Sequence, residues 1–151
     1  MEKICIICHG NICRSPIGEI LLNKKIKENG LDSKYEVFSR ATSREEIGND
    51  IYPPMKRVLD SYGLKYDRHE ARQLAKFEFD SAKYIIYMDA YNLYNLEKLY
   101  GLSDKYILIS KYDNKENIED PWYTGRYDYV YKRIDTCLDS IMEILKQNKS
   151  L

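Results

Sequence analysis

Cys8 and Arg14 have five residues between them in the run Ile4-Cys5-Ile6-Ile7-Cys8-His9-Gly10-Asn11-Ile12-Cys13-Arg14-Ser15-Pro16, close to the start of the chain. A thiol held at a helix N-terminus beside a guanidinium ionises easily and becomes a nucleophile. Arginine's planar fork, charged at all ordinary pH, matches two oxygens of a tetrahedral anion. A spacing of five residues lets one small loop aim both groups at the same anion. Gly10 and Asn11 are types that tolerate the left-handed backbone such a loop needs. Ser15 suits a helix N-cap and Pro16 the first helical position. The start of a helix leaves N–H groups unpaired and partly positive, which favours phosphate. The residues thus describe an anion cradle with a nucleophile in its floor, the backbone of His9, Gly10, Asn11, Ile12, Cys13, Arg14 and Ser15 supplying donors.

Plainer readings stand beside this one. Cysteine is often only a small buried hydrophobe, which is the reading for Cys5 and Cys137. Cys5, Cys8, His9 and Cys13 lack a second ligand pair at zinc spacing, and Cys5 and Cys8 would leave a strand on opposite faces. No metal or cofactor is therefore expected. A disulfide scaffold does not fit a chain of this size with no signal peptide.

Around this loop the pattern alternates strand and helix. Apolar runs predict strands at Lys3–Ile7, Tyr35–Ser39, Tyr84–Met88 and Tyr106–Ile109. The third is apolar throughout and should be buried on both faces. Helical spacing predicts helices from Pro16 to about Asn29, stopped by Gly30, from Pro53-Pro54 to Gly63, and over Asn92–Tyr100 and Tyr131–Lys146. A short helix is expected over Leu74–Phe79, loops at Ser39–Ser43 and Tyr66–Gln73, and a long polar connection over Lys111–Tyr129. The economical fold is a single α/β domain spanning 1–151, a doubly wound, four-stranded parallel sheet flanked by helices. Such sheets bind ligands at the carboxyl ends of their strands, where Cys8, Ser39 and Asp89 would meet.

Composition narrows the partners. The 151 residues carry 24 Lys+Arg against 24 Asp+Glu, so no basic footprint for nucleic acid is present. No apolar run reaches the length of a membrane span. Four cysteines without a secretory signal point to the reducing cytoplasm. The fifteen tyrosines are read as compositional bias.

The string from Cys8 to Pro16, after a strand and before a helix, resembles the low-molecular-weight protein tyrosine phosphatases, and the likeness extends over nearly the whole chain. The resemblance implies a phosphocysteine mechanism with Cys8 as nucleophile, Arg14 and the loop amides on the phosphate, and Ser15 donating to the Cys8 sulfur. It implies a general acid and base at Asp120, in Glu119-Asp120-Pro121-Trp122-Tyr123, with Glu119 as fallback and Trp122 and Tyr123 flanking a phosphotyrosine ring. It implies that Asn11, Ser39 and His69 brace the loop, the last in a His-x-Ala-Arg-Gln run ending Ala71-Arg72-Gln73. Asp89 should orient Arg72 or the acid loop; otherwise it is a helix cap. Cys13 should be able to pair with Cys8 and protect it from over-oxidation, or else be a buried small side chain.

The same resemblance implies a phosphotyrosine protein substrate, inhibition by phosphate or vanadate, and a monomer. Glu45 stands where the family often has an aromatic, Arg40 where it usually has Ala, and His9 where many members are apolar. Three alternatives share the cradle. A protein arginine phosphatase resembles this loop but has Thr at the place of Ile12. An arsenate reductase needs further cysteines after His69, and 70–100 contains none. A phosphate-binding module without turnover would have no use for the thiol.

Overall fold

The computed structural model describes every residue from Met1 to Leu151. Four parallel strands, β1 (Glu2–Cys8), β2 (Tyr35–Ala41), β3 (Tyr84–Tyr87) and β4 (Tyr106–Leu108), form one sheet in the order β2-β1-β3-β4. Chain order reverses direction at β1, which pairs with β2 on one side and β3 on the other. That reversal opens a crevice at the carboxyl end of β1, and Cys8 is its last residue.

Alternation along β1 sorts its side chains. Ile4, Ile6 and Cys8 join the larger core, with α1 (Arg14–Glu28) and α6 (Tyr127–Lys146). Cys5 and Ile7 turn to the smaller core on the other face, with Leu74, Ile85 and Leu96. There α3 (Lys76–Ser81) and α4 (Ala90–Tyr100) cover the sheet. All four residues of β3 are buried, as its unbroken apolar run predicts. The stripe Ile134, Leu138, Ile141 and Leu145 of α6 is buried throughout. Cys5 and Cys137 are buried, as expected of small hydrophobes. Gly18 lets α1 lie against β1: a Cβ there would sit 2.9 Å from Ile6 Cγ2.

Boundaries shift where tertiary bonds outweigh local pattern. The first helix begins at Arg14, not Pro16, with Cys13 at its N-cap and no side chain capping it. Ser15 is therefore not the cap: its hydroxyl is engaged with Cys8 instead. The short helix lies at Lys76–Ser81, because the Glu78 carboxylate accepts from Ala75 N and fixes the start. The polar connection contains a 3-10 turn at Ile109–Tyr112 and the single-turn α5 (Pro121–Thr124), and the last helix starts at Tyr127. Between β2 and α3 lies α2 (Pro53–Ser61), opened by Pro53-Pro54 as expected. No helix is long and apolar enough to cross a membrane.

Candidate active site

The loop between β1 and α1 encloses a cavity of about 170 Å³ lined by Cys8, His9, Gly10, Ile12, Cys13, Arg14, Glu45, Glu46, Asp120, Trp122 and Tyr123. The Cys8 thiol, the Arg14 guanidinium and the Asp120 carboxyl thus share one small space. Cys8 Sγ lies 3.1 Å from Ser15 Oγ and receives the N–H of Asn11 at 3.3 Å.

The loop is shaped from outside. Its carbonyls are drawn outward by donors on other segments: Cys8 O by Thr42 N at 3.0 Å, His9 O by Ser43 N at 3.1 Å, Ile12 O by Tyr52 N at 2.9 Å. His69 Nε2 lies 2.6 Å from Asn11 O; a carbonyl only accepts, so the proton sits on Nε2. In a planar trans peptide the C=O and the following N–H point opposite ways. Pinning those four carbonyls therefore turns the N–H groups of His9, Gly10, Ile12 and Cys13 away from their holders, toward the cavity they line.

Asn11 carries the rest of the brace. It adopts the left-handed backbone, with φ 59°. Its Nδ2 donates to Ser15 Oγ at 2.8 Å and Ser39 Oγ at 3.0 Å, and its Oδ1 accepts from Arg72 N at 3.2 Å. Ser39 Oγ in turn donates to Glu19 Oε1 at 2.7 Å. Gly10, by contrast, has no positive φ. Room there is tight: a Cβ would sit 3.2 Å from Glu46 Cγ, and the Glu46 side chain would have to shift to take it.

Arg14 is 2% exposed. Its guanidinium donates to Asp89 Oδ2 at 2.6 Å and Ile118 O at 2.9 Å, and lies 3.6 Å from Asp120 Oδ2. Burial works against its charge, but Cys8, Asp89 and Asp120 outweigh it and raise its pKa. The two acids are built alike. Asp89 caps α4 through Oδ1, accepting from Asn92 N at 2.8 Å; Asp120 caps α5 through Oδ1, accepting from Trp122 N at 3.0 Å. Each keeps its other oxygen for Arg14. Asp89 thus orients Arg14, not Arg72. The Arg72 side chain turns outward to Glu70 at 3.4 Å, and only its backbone N–H serves the site.

Burial pushes the Cys13 thiol well above the usual range, with the Cys8 and Asp120 charges adding to it. All four cysteines are free thiols. No group of three His, Cys, Asp or Glu side chains is placed to hold a metal ion. At the mouth, Glu45 Oε2 lies 3.0 Å from His9 Nε2, and Trp122 packs on Tyr52 with centroids 4.9 Å apart. Glu119 is committed to Arg126 and is held below the usual range chiefly by that bond.

Several contributors have no local signature in the sequence. Asp50 accepts from His69 N at 2.9 Å, Ile51 N at 2.8 Å and Lys56 Nζ at 2.5 Å, steadying the histidine that holds Asn11. Partial burial opposes its charge, but these bonds win and hold Asp50 at about 2. Arg133, 7% exposed, grips Asp113 and the carbonyls of Glu116 and Asn117. It fixes the segment leading to Asp120.

Comparison with known proteins agrees with this geometry. The family model for low molecular weight phosphotyrosine protein phosphatase matches residues 3–151. The low molecular weight protein-tyrosine-phosphatase YfkJ of Bacillus subtilis is 29% identical over 156 residues, covering 100% of both chains. The low molecular weight phosphotyrosine protein phosphatase of Homo sapiens is 33% identical over 153 residues, 94% of each chain. The crystal structure of YfkJ superposes with a TM-score of 0.93 at 28% identity, over 99% of this chain and 98% of that one. That of SP-PTP, from Streptococcus pyogenes, gives 0.86 at 30% identity, over 96% and 93%. The chain belongs to the low molecular weight phosphotyrosine protein phosphatase family.

Proposed function

We propose that the protein is a metal-independent protein tyrosine phosphatase that works through a phosphocysteine on Cys8. The observation that carries this reading is the convergence of Cys8, Arg14 and Asp120 on one 170 Å³ cavity whose rim bears Trp122 and Tyr123. The Cys8 thiolate attacks phosphorus in line while the phenolate leaves, taking a proton from Asp120. Arg14 and the inward N–H groups hold the equatorial oxygens and stabilise their charge. In the second step Asp120 takes a proton from water, water attacks phosphorus, and the sulfur leaves as a thiolate steadied by Ser15 and Asn11 N. Inorganic phosphate is released.

Asn11, Ser39, His69, Asp89 and the Arg72 backbone act by holding these groups still. Cys13, a protonated neighbour of the nucleophile, serves as its redox guard by closing a disulfide on an oxidised Cys8. A working thiolate needs a reducing compartment, and we place the enzyme in the cytoplasm as a monomer. Ile12 on the loop favours phosphotyrosine over phosphoarginine.

The test is turnover of p-nitrophenyl phosphate in the presence of chelator, run beside phosphotyrosine, phosphoserine and phosphoarginine peptides, with vanadate as inhibitor. Phosphotyrosine should be preferred. Full activity in Cys8→Ser would rule out the mechanism, and a preference for phosphoarginine would move the substrate class.

A further inference from the structure

The two walls of the cavity mouth differ in kind. One is aromatic: Trp122 and Tyr123 are 55% and 83% exposed. The other is acidic, formed by Glu45 and Glu46. Both carboxylates are seated rather than free. Glu45 is held by His9 at 3.0 Å. Glu46 lays its Cγ across Gly10, and its Oε2 accepts from Asn49 Nδ2 at 2.6 Å. Asp120 adds a third acid to the lining, against a single permanent cation, Arg14. Arg14 is already shared between Asp89 and Asp120 at 2.6 and 3.6 Å, and the nearby Arg126 is tied to Glu119. Charge at the rim is therefore negative, on the path a phosphate dianion must take.

We infer, resting on the phosphatase reading above, that Glu45 and Glu46 select phosphotyrosyl substrates carrying a lysine or arginine beside the phosphotyrosine. Like charge at the rim repels the ester. A cation next to the phosphotyrosine cancels that repulsion and meets two carboxylates already fixed in place. It also finds the ring faces of Trp122 and Tyr123 in the lining of the same cavity. An acidic neighbour adds to the repulsion. Rim charges act on encounter and binding more than on the chemical step, so the selection appears in KM. Exposed pairs of this kind discriminate by about threefold each, so two of them separate Lys-flanked from Glu-flanked peptides by roughly tenfold.

The experiment uses matched phosphotyrosyl peptides with Lys, Gln or Glu on either side of the phosphotyrosine, and p-nitrophenyl phosphate beside them. Wild-type kcat/KM should rank Lys above Gln above Glu, carried by KM, and the spread should shrink in high salt. In the double variant E45Q/E46Q the spread should fall to about twofold. A flat or reversed ranking in wild type overturns the inference, as does a spread in the double variant as wide as that of wild type. Failure to turn over p-nitrophenyl phosphate or any peptide would instead sink the phosphatase reading on which it stands.

Discussion

At the floor of the cavity Asn11 and Ser15 are wholly buried and Arg14 nearly so, and the Asn11 amide, the Ser15 hydroxyl and Arg14 Nη1 meet partners within the protein. At the mouth, Trp122 and Tyr123 stand largely in solvent, and the exposed Glu45 carboxylate has one partner, His9. The contrast follows from the cost of burial. A buried donor or acceptor left unpaired costs about 1–3 kcal/mol, so the floor tolerates almost no change of side chain. Water satisfies whatever the mouth leaves unpaired, so its residues are free to differ. On the proposed mechanism, chemistry is lodged where geometry is over-determined, and selectivity where it is not.

The strongest way to break that division is at the floor. Cys8→Ser should cut p-nitrophenyl phosphate turnover by on the order of 10⁴ or more, as loss of a nucleophile does elsewhere. Vanadate should still bind, because Arg14 and the loop amides remain; loss of binding as well would mean the cradle itself had collapsed. Asp120→Asn should slow turnover by about 10²- to 10³-fold, and more for poor leaving groups, which need the proton most. An equal loss for all leaving groups would place Asp120 among the braces rather than in the chemistry. Asn11 separates backbone from side chain. Asn11→Gly keeps the left-handed turn and loses the bonds to Ser15, Ser39 and Arg72; Asn11→Ala loses both. Both should lower kcat by about tenfold or more. Ala should additionally cost about 1 kcal/mol of stability through strain.

The floor and the mouth were also unequally legible. The alternation of Ile4, Ile6 and Cys8 against Cys5 and Ile7, and the stripe from Ile134 to Leu145, stand in the chain itself, because burial pattern is local. So does the Cys8–Arg14 spacing. The resemblance supplied Asn11, Ser39 and His69 as braces; what could not be read was the backbone half of the support. Its carbonyls are pulled by backbone N–H groups of Thr42, Ser43 and Tyr52, and every non-proline residue has such a group, so no residue type marks them. Ser15 reads as a cap until Cys8 and Asn11 claim its hydroxyl. Arg72 has the side chain of an anion binder and contributes only its N–H. Asp89, Glu19 and Arg133 act across sequence gaps that only the folded chain closes.

The mouth should answer with smaller effects. Trp122→Ala removes one aromatic wall and the packing on Tyr52. It should raise KM for phosphotyrosyl peptides by about three- to tenfold, the scale of one aromatic contact, and leave kcat within about twofold. A fall in kcat matching Asp120→Asn would show that Trp122 holds the acid, since Asp120 caps the turn on which Trp122 sits.

The smallest effect tests the outermost support of the floor. Asp50 steadies His69, and its carboxyl is held at about 2 against an ordinary 3.8. A folded value below the unfolded one means that its charge stabilises the protein fully above about pH 4. That contribution fades as pH falls through the interval down to about 2. Asp50→Asn keeps an acceptor oxygen for His69 N and Ile51 N but removes the charge and the acceptor that meets Lys56. It should cost about 1 kcal/mol near neutrality, or about 2–4 °C in Tm, with little change in kcat. The gap between variant and wild type, followed by thermal melts from pH 7 downward, should close as pH approaches 2. A gap that stays constant with pH would assign the loss to the shape of the hydrogen bonds at His69 and Ile51. The attraction to Lys56 would then contribute nothing, and the brace behind Asn11 would be held by geometry alone.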